Sequence, residues 1–309
     1  MPAPSARERD LGVEALNRAL WAAAAASVLV GAAIVATRFV VAQVPPLTLA
    51  LLRYAIGVLM LLPFAWTAWR AAPVRPSGRD LFAMAGLGIG QFAILIAFMN
   101  WGLLHIGAAQ AALIFSLFPL LTLLIAAVLG REVVTSRLVV GVLLSIAGVA
   151  LSLWPKLHAA GSGHWWGELA VLASAFVGAT CSVLYRPYLQ RYPTLPVSTY
   201  AMFASVAFLL FAAIPEQWPQ RVTTLGAAAW AAVAFIGFAS AIGYYWWLYA
   251  LKHESPTRVT VFLALNPVTA ALLGAATLGE PLHPATYAAL ALIAMGLWLA
   301  TRQPRAAPG

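Results

Sequence analysis

The chain reads as an all-α integral membrane protein: ten transmembrane helices in two inverted five-helix repeats, with N- and C-termini cytoplasmic. Three observations predict this. Of the 309 residues, 63% are hydrophobic and only 9% charged, with a mean hydropathy of +0.89, whereas soluble domains carry roughly 25% charged residues. The sequence repeats itself at a shift of 148 residues. Lysine and arginine fall almost wholly in alternate gaps between apolar runs.

A spanning helix needs about 20 apolar residues, at ~1.5 Å each against ~30 Å of hydrocarbon. Windows of that kind fall at 19–42, 46–69, 79–103, 108–130 and 136–154, then at 165–187, 195–214, 226–250, 257–279 and 284–301. Residues 1–18 hold Arg7, Glu8, Arg9, Asp10, Glu14 and Arg18. That is too charged for a cleavable signal peptide, and the apolar run that follows exceeds a signal core of ~7–15 residues. The expected organisation is a cytoplasmic segment 1–18, a first repeat 19–154, a linker 155–164, a second repeat 165–302 and a tail 303–309. Turn formers punctuate the gaps, among them Pro45-Pro46, Gly161 to Gly163 and Pro193 to Pro196.

The repeat is most legible in two stretches, Gly107 to Glu132 and Ser255 to Glu280. Each has a central proline, Pro119 and Pro267, and each closes on a glutamate. Both pairs stand 148 residues apart, as do His105 and His253, Gly148 and Gly296, Arg38 and Arg186, and Pro45 and Pro193. Such self-similarity marks a duplicated unit. With a cytoplasmic N-terminus, the inside segments hold 14 Lys/Arg and the outside loops only Lys156 and Arg221; Arg38 and Arg53 lie within spans. That asymmetry sets the orientation. Five spans per unit is odd, so the second unit enters from the opposite side. Inverted repeats mark secondary transporters, whose substrate site lies near the midplane between the halves.

Two matched segments, "ALIFSLFPLLTLLIAAVLGRE" and "VFLALNPVTAALLGAATLGEPL", together with "LLRY" at Leu51 to Tyr54 and the glycine-containing fifth and tenth spans, resemble the EamA-type drug/metabolite transporter superfamily. The resemblance covers about residues 20 to 302. It implies a bacterial inner-membrane, multi-pass exporter of small metabolites, amino acids among them, that works by alternating access around a central cavity. Many members carry Trp-Gly in the first span; here only Ala and Ser follow Trp21, so no subfamily is implied.

Candidate residues come from chemistry that is unusual inside a membrane. Pro119 and Pro267 each leave a carbonyl four residues back without its helical donor, which lipid cannot satisfy. Either both kinks face a cavity, with Ser116 and Asn266 nearby, or they only shape packing. Arg53 lies about two turns into the second span; it either holds a substrate carboxylate or serves a structural ion pair or snorkels outward. Arg38 with Glu280 at the outer ends, and Arg186 with Glu132 at the inner ends, form candidate gating pairs, or interface charges that never meet. In the eighth span Trp246 and Tyr249 belong to an aromatic cluster. In the third, Gln91, Phe98 and Trp101 share a helical face. These line a pocket or form an interfacial aromatic belt. Asn100 and Gln110 are further polar candidates.

Other classes find little support. The net charge of +9 is spread over short loops instead of one face, so nucleic acid is not expected. The lone Cys181 excludes an intrachain disulfide. Histidines 105, 158, 164, 253 and 283 lack metal-ligand spacing, so neither metal nor cofactor is expected. There is no phosphate loop and no Ser/His/Asp constellation, so neither ATP-driven transport nor an embedded enzyme is read. None of the nine acidic residues sits at a midplane, which favours facilitated export or coupling through end residues. The expected partners are a small-molecule substrate and the bilayer, with the chain working as a monomer. A sugar-phosphate or nucleotide-sugar exchanger is the alternative; it calls for several cavity-facing Lys/Arg, and only Arg38 and Arg53 are available.

Overall fold

The structure is a computed structural model and describes residues 6–71, 75–130, 135–157, 165–253, 262–280 and 284–301. Among these residues the chain is helical, with no strand. The main helices are α1 (Ala6–Val40), α2 (Pro46–Arg70), α3 (Gly78–Leu103), α4 (Ala108–Val128), α5 (Ser136–Leu157), α6 (Trp166–Arg191), α7 (Thr194–Ala212), α8 (Ala227–His253), α9 (Leu265–Leu278) and α10 (Pro284–Thr301). Seven are long and apolar enough to cross a membrane: α1 over Arg18–Val40, then α2, α3, α4, α6, α7, and α8 over Ala227–Trp247. The apolar stretches of α5, α9 and α10 are shorter. Large side chains such as Trp21, Phe82 and Val128 are more than three-quarters exposed, as a lipid-facing surface requires.

Helix α1 begins well before the apolar window, at Ala6. No proline interrupts residues 6–18, and Ala, Arg, Glu and Leu are good helix formers. Three helices depart from regular form. In α3 a π-helical segment runs over Ile89–Ile94. A side chain on Gly88 would strike the Ala201 backbone of α7, and one on Gly90 would lie 2.7 Å from Cys181 Sγ of α6. The segment is therefore pressed between two helices, which favours the local widening of a π-bulge. Helix α4 breaks into Ala108–Phe115 and Phe118–Val128. A short 3₁₀ turn, Phe262–Ala264, precedes α9. Both breaks fall just before the prolines, and Ala264 stands 148 residues from Ser116.

The helices pack in a pattern that repeats itself. Helix α1 lies against α8 and α9, and α6 against α3 and α4; α2 meets α8 while α7 meets α3; and α2 with α7, α4 with α9, and α5 with α10 make direct pairs. Exchanging every helix with the one five places on leaves these pairings unchanged. The α5–α10 crossing shows this at single residues. A Cβ on Gly148 would lie 3.0 Å from the Ala289 carbonyl oxygen, and one on Gly296 would lie 2.5 Å from that of Gly141. Each contact is the other shifted by 148 residues, and along the crossing the two helices run antiparallel. Small residues at such crossings allow the close backbone approach that packs helices within lipid. The same device joins α1 to α9, where a Cβ on Gly31 would lie 2.7 Å from the Asn266 carbonyl oxygen, and α6 to α4, where Gly178 abuts the Phe118 ring.

Candidate functional site

Arg53 is buried, 9% exposed, about two turns into α2. Gly237 of α8 draws the two helices together there: a Cβ on it would lie 3.2 Å from the Arg53 carbonyl. The Arg53 Nε donates to Ser240 Oγ on α8, and Ser240 in turn donates to Ile236 O at 2.6 Å. Its Cζ lies 5.6 Å from the Tyr54 ring centroid. Among the described residues no carboxylate lies within ion-pair reach of it. A guanidinium has five donors, so a neutral serine and a ring face leave most of its capacity for something else.

From Arg53 an aromatic ladder leads along the bundle. The Tyr54 and Phe92 rings meet edge-on at 5.0 Å, as do Phe92 and Tyr244. Tyr244 forms one wall of a cavity of about 320 Å³ between α2, α7 and α8. Leu61 and Ala68 of α2, Pro193 to Pro196 and Ser198 at the start of α7, and Tyr245 and Tyr249 of α8 complete it. Of the aromatic pair named from sequence, Tyr249 reaches this cavity; Trp246 is half-buried and lies outside its lining.

The other sequence candidates take varied places. Gln91 is half-buried within the π-helical segment. Trp101 is 38% exposed and meets the His105 ring edge-on at 4.8 Å. Asn100 is fully buried and its Nδ2 donates to the Pro46 carbonyl at 2.9 Å, tying α3 to the start of α2. The Ser116 hydroxyl turns back to Leu113 O, 2.5 Å away in its own turn. Gln110 donates to buried Glu168 at 3.1 Å. Pro119, Asn266 and Pro267 are buried at the two helix breaks. Arg186 is exposed, and its proposed partner Glu132 lies outside the described residues.

At one end of the bundle two carboxylates tie helices together. Arg38 donates through Nη1 to Leu103 O at 2.7 Å, and its Nε lies 3.8 Å from Glu280 Oε1. Glu280 also accepts from the backbone N–H of Ala108, at 3.0 and 3.1 Å, and of Ala109 at 3.4 Å. It thus caps α4, whose own N-cap, Gly107, has no side chain to offer. The carboxylate suits the positive end of the helix dipole. Gly107 and Gly274 leave the room: a Cβ on either would lie within about 3.1 Å of a Glu280 oxygen. The loop residue Glu216 does the same for α2, accepting from Leu47 N at 3.0 Å, Thr48 N at 2.6 Å and Thr48 Oγ1 at 2.7 Å. Sequence reasoning missed Glu216. Its only signal was a helix start, Pro45-Pro46-Leu47-Thr48, without an acid of its own.

At the opposite end the tie is lighter. The Tyr192 hydroxyl donates to Asp80 Oδ2 at 2.6 Å. Giving that bond to a carboxylate holds the phenol above its ordinary value. Trp69 and Tyr200 meet at 6.3 Å.

Two stretches, 17–154 and 165–302, each match the model of the EamA-like transporter family. The chain belongs to the EamA-like transporter family. The two matched stretches are themselves displaced by 148 residues. An uncharacterized transporter of Archaeoglobus fulgidus is 27% identical over 277 residues, 88% of this chain and 95% of that protein. A probable terminal-alkyne amino-acid exporter of Streptantibioticus cattleyicolor is 32% identical over 74% of this chain and 76% of its own length. An uncharacterized inner membrane transporter of Escherichia coli, YedA, is 28% identical over 83% of this chain and 82% of its own length. A protein of known crystal structure aligns with a TM-score of 0.66 at 26% identity, covering 91% of this chain and 96% of that one. This EamA-family chain is therefore a multi-pass membrane transporter and not an enzyme.

Proposed function

We propose that this protein is a secondary exporter of small amphipathic metabolites such as amino acids, working without ATP by alternating access in a bacterial inner membrane. Arg53 carries the reading. A cation buried within a span is costly and marks a substrate path. Here it rests on a serine and a tyrosine face, and a substrate carboxylate supplies the missing counter-charge. The aromatic ladder and tyrosine-lined cavity offer the apolar part of such a substrate a surface to lie against. The relative named a probable amino-acid exporter points the same way.

The arrangement of closures supports alternating access. Ten spans with both termini cytoplasmic place the Arg38 end outside and the tyrosine-lined cavity on the cytoplasmic half. The conformer is then shut outside, with Arg38 and Glu280 as an outer gate, and Arg186 with Glu132 its counterpart inside. The antiparallel crossing at Gly148 and Gly296 favours inverted repeats, because a two-fold axis relating antiparallel helices must run perpendicular to them. Sugar-phosphate exchange is less well served. Among the described residues Arg53 is the only buried base, and Arg38 is already engaged by Glu280 and Leu103.

Reconstitution into proteoliposomes, with a panel of amino acids and amphiphiles and with or without a proton gradient, tests the proposal. Arg53→Gln is expected to cut flux of carboxylate substrates at least about tenfold at unchanged expression, the cost of losing a charged hydrogen bond. Wild-type flux in that variant contradicts the reading.

A further inference from the structure

We propose that Ser27 of α1 and Asn266 at the broken start of α9 hold the primary ammonium group of the substrate near the middle of the membrane. This rests on the amino-acid reading above and names the group that reading leaves unplaced. Ser27 Oγ and Asn266 Oδ1 are both in fully buried positions, 0% and 2% exposed, and neither has a hydrogen-bond partner among the described residues. Leaving a buried polar atom unpaired is costly, and native proteins rarely do it without a reason. Gly31, one helical turn beyond Ser27, sits directly on the Asn266 backbone, so the two side chains belong to the same crossing.

A third oxygen is close by in sequence. Pro267 has no N–H to return to the carbonyl of Leu263, which lies in the 3₁₀ turn Phe262–Ala264 just before α9. Three neutral acceptors suit a group with three N–H donors. A bare charge held by neutral oxygens would be expensive inside the bundle. An amino acid brings its own counter-charge, provided its carboxylate is held nearby. Helix α8 meets that condition. Ser240, which binds Arg53, stands three residues before Gly243, where an added Cβ would lie 3.7–3.8 Å from Leu29 and the Ala26 carbonyl oxygen of α1. Arg53 and Ser27 therefore flank the same turn of α8.

The duplicated half supplies a comparison inside the molecule. Ser174 to Gly178, 147 residues on and so one residue out of the 148-residue register, repeats the Ser-x-x-Val-Gly pattern of Ser27 to Gly31, and Ser174 is also buried without a partner among the described residues. Gly178, one turn beyond Ser174, abuts Phe118, 148 residues before Asn266, as Gly31 abuts Asn266 itself. One copy keeps a polar acceptor and the other an aromatic ring, so only the α1–α9 crossing has the chemistry for an amine.

The test is equilibrium binding to the purified full-length protein by calorimetry, with norleucine and its des-amino analogue hexanoate as probes, in sodium and in choline buffer. Wild-type protein is expected to prefer norleucine. Ser27→Ala and Asn266→Leu should each shrink that preference about tenfold while leaving hexanoate binding unchanged. Asn266→Asp, which keeps the side chain's shape, should enlarge the preference, and Ser174→Ala should not alter it. Unchanged preference in Ser27→Ala and Asn266→Asp overturns the assignment while the exporter reading stands. So does an effect confined to sodium dependence, which would make this a free-cation site. Failure of wild-type protein to bind either probe overturns both.

Discussion

Replacing Glu280 with glutamine keeps the side chain's shape but removes the charge shared by Arg38 and the α4 N-terminus. The loss of a charged cap at a helix N-terminus is worth about 1 kcal/mol, a factor of about five in the closed-to-open ratio of the Arg38 end. Accessibility of a cysteine placed at Gln43 to an impermeant thiol reagent should rise accordingly in Glu280→Gln, and further in the double variant with Glu216→Gln. At the other end, the Tyr192–Asp80 tie carries a pH signature. The folded-state phenol is raised above its ordinary value of 10.0, so its contribution is complete below that value. It is lost as pH climbs through the raised one. Tyr192→Phe should abolish this alkaline step in a thermal-stability profile and leave the neutral-pH profile otherwise similar. Single residues were unevenly legible in the sequence. Arg53 announced itself as a charge within an apolar run. Glu216 did not, because the helix start it caps lies 168 residues away and nothing local in a Pro-Glu turn points there.

Among elements, the breaks in α4 and before α9 were legible because proline has a fixed local consequence wherever it occurs in a helix. The π-helical segment in α3 was not. Nothing local to Gly88 and Gly90 marks it, and the cause of the bulge lies in Ala201 and Cys181 on other helices. The role of Ser116 was likewise hidden, since a serine near a kink can turn either to a cavity or, as here, to its own backbone. Gly178 shows how tightly the breaks are seated. Gly178→Leu forces a branched side chain into the Phe118 ring and should destabilise the protein by about 1–3 kcal/mol, read as a lower melting temperature in detergent. A leucine at Gly86, where nothing lies within 4 Å of the added carbon, should leave it unchanged.

For the whole molecule, the duplicated pattern in the sequence is the pattern that the helix pairings repeat. The 148-residue shift that pairs Gly148 with Gly296 in sequence is the shift that exchanges their contacts at the α5–α10 crossing. What sequence could not supply was where the open volume lies. It sits beside Leu61, Pro193 and Tyr249, at a meeting of three helices distant in sequence, away from the two prolines. The central claim is that the two ends of the bundle open in turn. Distances between spin labels at Gln43→Cys and Thr277→Cys on one end, and at Ala71→Cys and Gln190→Cys on the other, in a Cys181→Ser background, measure this directly. Under transport conditions the first pair should gain a longer-distance population as the second gains a shorter one. Both distances staying fixed while substrate crosses the membrane would contradict the account.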